Sequence, residues 1–284
     1  MYKTNNNKLP SVLITGCSSG LGHALALRFI KSGYPTYASA RRLESIGDLA
    51  DAGCVTLQLD VTDIDSIQKA VKTVEDIHGH VGILINNAAI GIMTPMETIP
   101  LEQVRRQYET NVFGLLAITQ TVIPAMRNAG QGRIVNCGSS GGEFTTPGGG
   151  VYQATKYALD SMNDAMRMEL KSFGIDVVLI EPGAISSNFG KNGAVLGKDE
   201  GAYIQLMRGI DVISSKALQA DAIGTWSPDE VAQVVHKAAT IKKPNARYRP
   251  GIVAKLLIYM KILLPISIWD SMYISSLNKA GQEQ

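Results

Sequence analysis

The sequence predicts an α/β fold: a doubly wound parallel sheet between two layers of helices. Two observations carry that prediction. Short apolar runs alternate with stretches of helical period through most of the chain, and the runs are apolar at successive positions rather than at every second one. A strand with one face in water has a period of two, whereas a strand buried on both faces reads as continuous Val, Ile and Leu. Strand, helix, strand, repeated, closes as a parallel sheet whose crossover helices cover both faces.

Taken in order, "SVLIT" (11–15), "TYASA" (36–40), "VTLQL" (55–59), "GILIN" (82–86), "RIVNC" (133–137) and "DVVLI" (176–180) read as strands. Between them "GLGHALALRFIKSG", "DIDSIQKAVKTVEDIHG", "LEQVRRQYETNVFGLLAITQTVIPAMRNAG" and "YQATKYALDSMNDAMRMELKSFG" carry apolar residues three and four apart. They close on glycines placed for helix C-caps. Residues 1–9 are polar and lack an apolar signal region, and are expected to be a disordered tail. A single domain spanning 1–284 accommodates this length.

Composition narrows the function. With 45% hydrophobic and 18% charged residues the chain is expected to be soluble and globular, and its net charge of +2 argues against nucleic acid as a partner. Cysteines at 17, 54 and 137 have no metal-site spacing, and their odd number suits a reducing, cytoplasmic compartment. No metal is expected.

Ligands of a parallel sheet bind beyond the C-terminal ends of its strands. After the first strand comes "TGCSSGLG", in which Gly16, Gly20 and Gly22 allow a tight turn and the close approach of a pyrophosphate to a helix N-terminus. The spacing is G-x3-G-x-G rather than G-x-G-x-x-G. The second strand ends at Ala40, where an enzyme that holds a ribose 2′-hydroxyl offers an acid, and Arg41 and Arg42 follow. A guanidinium grips a 2′-phosphate that a carboxylate would repel, so NADP(H) is favoured over NAD(H). The same turn also fits G-x-S-x-G, the elbow of a serine hydrolase. In that reading Ser18 is the nucleophile, and Asp211 or Asp229 and His236 follow in the required order. Against it, no strand precedes the first to supply an oxyanion-hole loop.

A further pair lies in "VYQATK", where Tyr152 and Lys156 share one face of a helix. An ordinary phenol has a pKa of about 10, and acting near neutrality requires a drop of about three units, or about 4 kcal/mol. An ammonium about 4 Å away at an effective dielectric of about 20 supplies that amount.

Gly16-x3-Gly20-x-Gly22, "LDVTD" (59–63), "NNAA" (86–89), Asn111, Ser139, Tyr152-x3-Lys156 and "EPGAISS" (181–187) together resemble the short-chain dehydrogenases/reductases over roughly residues 10 to 190. The likeness is strongest to the NADP(H)-preferring group of 17β-hydroxysteroid dehydrogenases, retinol dehydrogenases and acyl-dihydroxyacetone-phosphate reductases. The resemblance implies a Rossmann-type, three-layer α/β/α fold, a homodimer or homotetramer, and an oxidoreductase that moves hydride between nicotinamide and a carbonyl or secondary alcohol. Carried over residue by residue, it makes Tyr152 the general acid or base and Lys156 its pKa-lowering neighbour on the nicotinamide ribose. Ser139 steadies the substrate oxygen, and Asn111 holds a water that links Lys156 to solvent. The cofactor would rest on Gly16, Ser18, Ser19, Gly20, Leu21, Gly22, Arg41, Arg42, Asp60, Val61, Asn87, Ala88, Ala89, Tyr152, Lys156, Pro182, Gly183, Ile185 and Ser187. Ala89 and Ser187 depart from the glycine and threonine frequent in the family. A filled catalytic set weighs against the other alternative, an NADP(H)-sensing module without turnover.

Residues 184–225 mix glycines, apolar residues and charges, as a lid over a substrate would. Phe144, Phe189, Tyr203 and Met207 are the expected pocket walls, and the few charges nearby point to an apolar ketone or alcohol. Residues 251–280 form an apolar, basic-flanked helical extension. Between Val231 and Trp269 no acid occurs, while Lys237, Lys242, Lys243, Arg247, Arg249, Lys255 and Lys261 do. That segment suits a membrane interface, a cover over the pocket, or a second subunit.

Overall fold

A computed structural model of the chain describes residues 8–187, 195–196, 201–219 and 222–282. Its main sheet has the order β3-β2-β1-β4-β6-β7-β9, parallel throughout. The strands are β1 (Val12–Ile14), β2 (Thr36–Ala40), β3 (Val55–Gln58), β4 (Ile83–Asn86), β6 (Gly132–Cys137), β7 (Ile175–Ile180) and β9 (Arg247–Tyr248). The first six fall where the apolar runs lie. The seventh, β9, has no apolar pattern: it is two residues long and pairs only with the end of β7.

The continuous apolar runs are explained by two cores. Val12, Ile14, Ile83, Ile85, Val135, Val178 and Ile180 face one side, where α1 (Gly20–Lys31) lies against the helix at Pro228–Thr240. Leu13, Leu84, Ile134 and Val177 face the other, beneath the helices at Ile64–His78, Leu115–Ala129 and Gly150–Glu169. Alternation is present, but both sets are apolar because both faces are covered.

Among the described residues the α-helices, in chain order, are α1, α2 (Gly47–Asp51), α3 (Ile64–His78), α4 (Leu101–Tyr108), α5 (Leu115–Ala129), α6 (Gly150–Glu169), α7 (Ile204–Ala217), α8 (Pro228–Thr240), α9 (Ile252–Leu263) and α10 (Ile266–Gln282). Asp63 caps α3 by accepting from the backbone N–H of Asp65 and Ser66, and Ser227 with Glu230 forms a capping box on α8. The long helical stretch between β4 and β6 is not regular: a turn of π-helix, Glu109–Gly114, joins α4 to α5. A two-stranded parallel pair, β5 (Ile92–Met93) with β8 (Val195–Leu196), lies outside the main sheet.

One expectation about the ends changes, and the helical C-terminal extension gains a break. Leu9 packs against the core and Pro10 is buried, so the ordered chain begins before the expected limit of the tail. The extension at 251–280 is two helices, α9 and α10, broken at Pro265, which cannot continue a helix through its missing N–H. No helix among the described residues is long and apolar enough to cross a membrane.

Candidate active site

The glycine turn after β1 is set by backbone sterics. Gly16 and Gly20 have φ of 73° and 58°, which a side chain would strain. A Cβ on Gly22 would stand 2.2 Å from the Gly16 carbonyl oxygen and 2.5 Å from Asn87 Nδ2, so α1 can close on the turn only through a glycine. Thr15 Oγ1 accepts from the backbone N–H of both Asn87 and Ala88 at 3.0 Å. Asn87 Nδ2 donates in return to the carbonyls of Thr15 and Gly16, at 2.9 and 3.0 Å. Asn87 therefore clamps the ends of β1 and β4 together. Thr15 is a residue that motif reading missed, although it stands beside the first glycine.

This cradle fits a dinucleotide. Ser19 precedes α1 without a side-chain cap, and no acid occupies the first turn, leaving the helix N-terminus to an anion. Ser187, from the loop after β7, comes beside Gly20, so both sides of the sheet's central crevice meet there. Ala40 is buried at the end of β2, and Arg41 and Arg42 are exposed beyond it. Asp60 accepts from the N–H and hydroxyl of Thr62, shaping the turn after β3, and the Val61 carbonyl presses on Gly114 of the π turn. Ser18, Leu21, Ala88, Ala89, Pro182, Gly183 and Ile185 all lie on the segments that rim this crevice.

The serine-hydrolase reading fails on geometry. His236 packs between the rings of Phe29 and Tyr34, at the end of α1 remote from Ser18, and Asp229 pairs with Arg28. Ser18 sits at the opposite end of α1, a helix of 12 residues and so about 18 Å long.

The catalytic set stands on the neighbouring strand ends. Tyr152 and Lys156 occupy the first turns of α6 on one face, with Lys156 Nζ 5.7 Å from the Tyr152 ring centroid and donating to the Cys137 carbonyl at 3.1 Å. Ser139 follows β6; its hydroxyl hydrogen-bonds the Tyr152 phenol and accepts from Gly141 N–H at 3.1 Å. Burial pushes the Tyr152 phenol up to about 12, against the easing bond from Ser139. Burial also lowers the Lys156 ammonium to about 8. Burial opposes the drop that catalysis needs, and the Lys156 ammonium is turned to a backbone carbonyl.

Asn111 is buried in the π turn. It accepts from Ile90 N–H at 2.9 Å and donates to the Ile90 carbonyl at 2.8 Å and to Thr155 Oγ1 at 3.1 Å. Both amide hydrogens are spent on the protein, so the side chain ties the loop after β4 to α6 next to Lys156. Beneath it, Asn86 donates to Thr119 Oγ1 and Asn136 Oδ1, and Asn136 to Asn163, joining β4, β6, α5 and α6 by a buried amide ladder.

A charge cluster holds the far side. Glu181, 1% exposed, directly precedes Pro182 and Gly183. It accepts from Arg249 Nε at 3.0 Å and from Arg247 Nη1 at 3.4 Å. Arg249 also pairs with Glu143, and Arg247 with Asp160 and Asp164 of α6. β9, the end of β7, α6 and the segment after Ser139 are pinned at one point. Burial, with Glu143 alongside, pushes the Glu181 carboxyl up to about 7 while the arginines oppose it. Glu143, Asp160 and Glu181 crowd together as metal ligands would, but the two guanidiniums already neutralise them.

The residues expected as pocket walls are placed as follows. Phe144 is buried with Ile258 of α9 and Trp269 of α10, as a seat for the C-terminal helices. Met207 packs between α7 and α10, and Tyr203 donates to Glu97 at 2.6 Å. Phe189 lies outside the described residues. The C-terminal helices, not the residues at those positions, roof this side: Ala254 of α9 meets Gly183 directly.

Comparison with known proteins agrees with this geometry. The family model of short-chain dehydrogenases matches residues 10–194. The chain belongs to the short-chain dehydrogenase family. It is 32% identical to the NADPH-dependent 3-dehydrocapnine reductase of Ornithobacterium rhinotracheale, over 95% of this chain and 98% of that one. It is 30% identical to the 3-ketodihydrosphingosine reductase of Bacteroides thetaiotaomicron, over 87% and 89%. A short-chain dehydrogenase structure from Streptomyces avermitilis superposes with a TM-score of 0.82 at 30% identity, covering 89% of this chain and 92% of that one. The chain is an oxidoreductase of this family, and its doubly wound parallel sheet is the family's fold.

Proposed function

We propose that the protein is an NADPH-dependent reductase of a keto group on a long-chain, lipid-like substrate, working peripherally at a membrane. The observation that carries the reaction is the set of three side chains: Tyr152 is hydrogen-bonded by Ser139 and has Lys156 on its own helix face, and the phenol is protonated at neutral pH, the form from which a proton passes to a carbonyl. Nicotinamide held on the cradle after β1 would supply the hydride. Tyr152 delivers its proton to the substrate oxygen, Ser139 orients that oxygen, and Lys156, mostly charged at neutral pH, favours the phenolate left behind. The exposed Arg41 and Arg42 beyond Ala40 support NADPH.

The substrate class draws on the two reductases above, named for 3-dehydrocapnine and 3-ketodihydrosphingosine, and on the apolar roof of α9 and α10 over the strand ends. The test is NADPH oxidation by the purified protein with 3-ketodihydrosphingosine, short soluble ketones and a hydroxy-acid control, repeated with NADH. Consumption that requires a ketone, is faster with NADPH and rises with chain length is the expected result. Tight NADPH binding without turnover on any ketone would favour the sensing module instead.

A further inference from the structure

The hairpin of α9 and α10 buries one side and leaves the other bare. Ala254, Ile258 and Trp269 face inward, on Gly183 and Phe144. Outward, Ile252, Leu256, Tyr259 and Leu263 recur at the spacing of one helical face, the first 83% and the last 79% exposed. The tip continues this surface. Ile262 and Ile266 are each 67% exposed, and Ile268 is half exposed, on either side of Pro265. Isolated exposed aliphatics need no explanation, but a helical stripe running into an apolar tip does.

The charges along α9 have one sign, and the nearest acid, Asp270, stands past the tip on α10 beside Ile266 and Lys261. From Gly251 to Trp269 there is no acid, while Lys255 is exposed within the stripe's flank and Lys261 lies 5.6 Å from the Trp269 ring centroid. Composition argues against a protein partner. Interface cores exclude lysine and concentrate Trp, Tyr and Arg, whereas this face is Ile and Leu with one Tyr and a lysine beside it. An aliphatic stripe, an aromatic ring with a polar tip and flanking lysines are what a helix lying in a lipid headgroup layer presents.

We infer that the outer face of α9 and the α9–α10 tip dock on the surface of an anionic lipid bilayer. The docked helix is also the roof of the active site, since Ala254 on its inner side touches Gly183 of the loop after β7. Docking therefore brings the roofed side of the site to the lipid, which shortens the path of a water-insoluble ketone from bilayer to site. For its purpose this rests on the lipid-ketone reading; for its geometry it rests on the helix alone.

The experiment is sedimentation of the full chain with phosphatidylcholine vesicles and with mixed phosphatidylcholine–phosphatidylglycerol vesicles, at low and high salt. A doubly substituted chain, Ile262→Asp with Leu263→Asp, and a separate Lys255→Glu chain are run alongside, with turnover of a short soluble ketone measured without vesicles. The expected result is binding to the mixed vesicles about tenfold stronger than to phosphatidylcholine and weakened by salt. The tip substitutions should reduce it by at least tenfold and leave soluble-ketone turnover unchanged. Lys255→Glu should weaken only the binding that depends on the anionic lipid. Binding that is absent in the parent chain, or indifferent to the tip substitutions, overturns the inference. So does a dimer in sedimentation analysis that those substitutions make monomeric, because a second copy then covers the face. Vesicle binding without turnover of any ketone leaves the docking surface standing and removes the lipid-ketone reading; turnover without vesicle binding does the reverse.

Discussion

The cofactor side and the substrate side of this site are made by different means. Around Gly16, Gly20 and Gly22 the positions of atoms are fixed by backbone against backbone, and Thr15 and Asn87 bond main-chain groups. Around Phe144, Glu181 and Ala254 they are fixed by side-chain volume and by a buried cluster of opposite charges. The first kind of site tolerates one residue type at each position; the second can be rebuilt with many. Substitutions should therefore alter ligand handling on the cofactor side and folding on the substrate side.

The largest effect is expected between the two halves. Tyr152→Phe removes the proton donor and should lower kcat by about a hundred- to ten-thousandfold with the NADPH dissociation constant nearly unchanged, measured by steady-state rates and by quenching of protein fluorescence. On the substrate side, Phe144→Ala opens a cavity under α9 and α10. It should cost about 3 kcal/mol in urea unfolding, whereas a true pocket wall would instead change KM with little loss of stability. On the cofactor side, Ala40→Asp combined with Arg41→Ala should shift the NADPH-to-NADH preference by about ten- to a hundredfold, with the unfolding midpoint held. An unchanged preference would remove Arg41 from its role.

The smallest effect crosses the boundary. Lys156 falls from 10.5 to about 8 on folding, so its charge is a cost to the cofactor-free protein. That cost is fully present below pH 8 and fades as pH rises toward 10.5, because in that window the unfolded chain binds the additional proton. Lys156→Met should be inactive yet more stable by about 2 kcal/mol at neutral pH, the gain closing as pH rises. A loss of stability would mean that the bond to the Cys137 carbonyl outweighs desolvation.

The same contrast explains what could be read from the sequence. Six strands, the glycine turn and the Tyr152–Lys156 pair were legible because each depends on local spacing: an apolar run, a left-handed φ, one helical turn. β9 was not legible, because Arg247 and Arg249 are held by Glu143, Asp160, Asp164 and Glu181, which lie far off in sequence. An arginine at every second residue of a short segment is a weak sign of such a strand, visible only once its acids are known. The burial of Phe144 was not legible either, since nothing local to it reports that Ile258 and Trp269 return to cover it. The bond from Lys156 to the Cys137 carbonyl was not legible because helical spacing gives proximity but not the direction in which an ammonium turns.

The π turn at Glu109–Gly114 fits one residue more into the α4–α5 stretch than a regular helix of that length would hold. Regular helical bonding was given up there in exchange for pointing Asn111 at Ile90 and Thr155. Removing one residue from this turn would let the helix anneal into an unbroken ladder, leaving a sturdier protein with its loop after β4 untied from the catalytic helix. The irregularity is thus a place where selection for long life and selection for turnover pull in opposite directions.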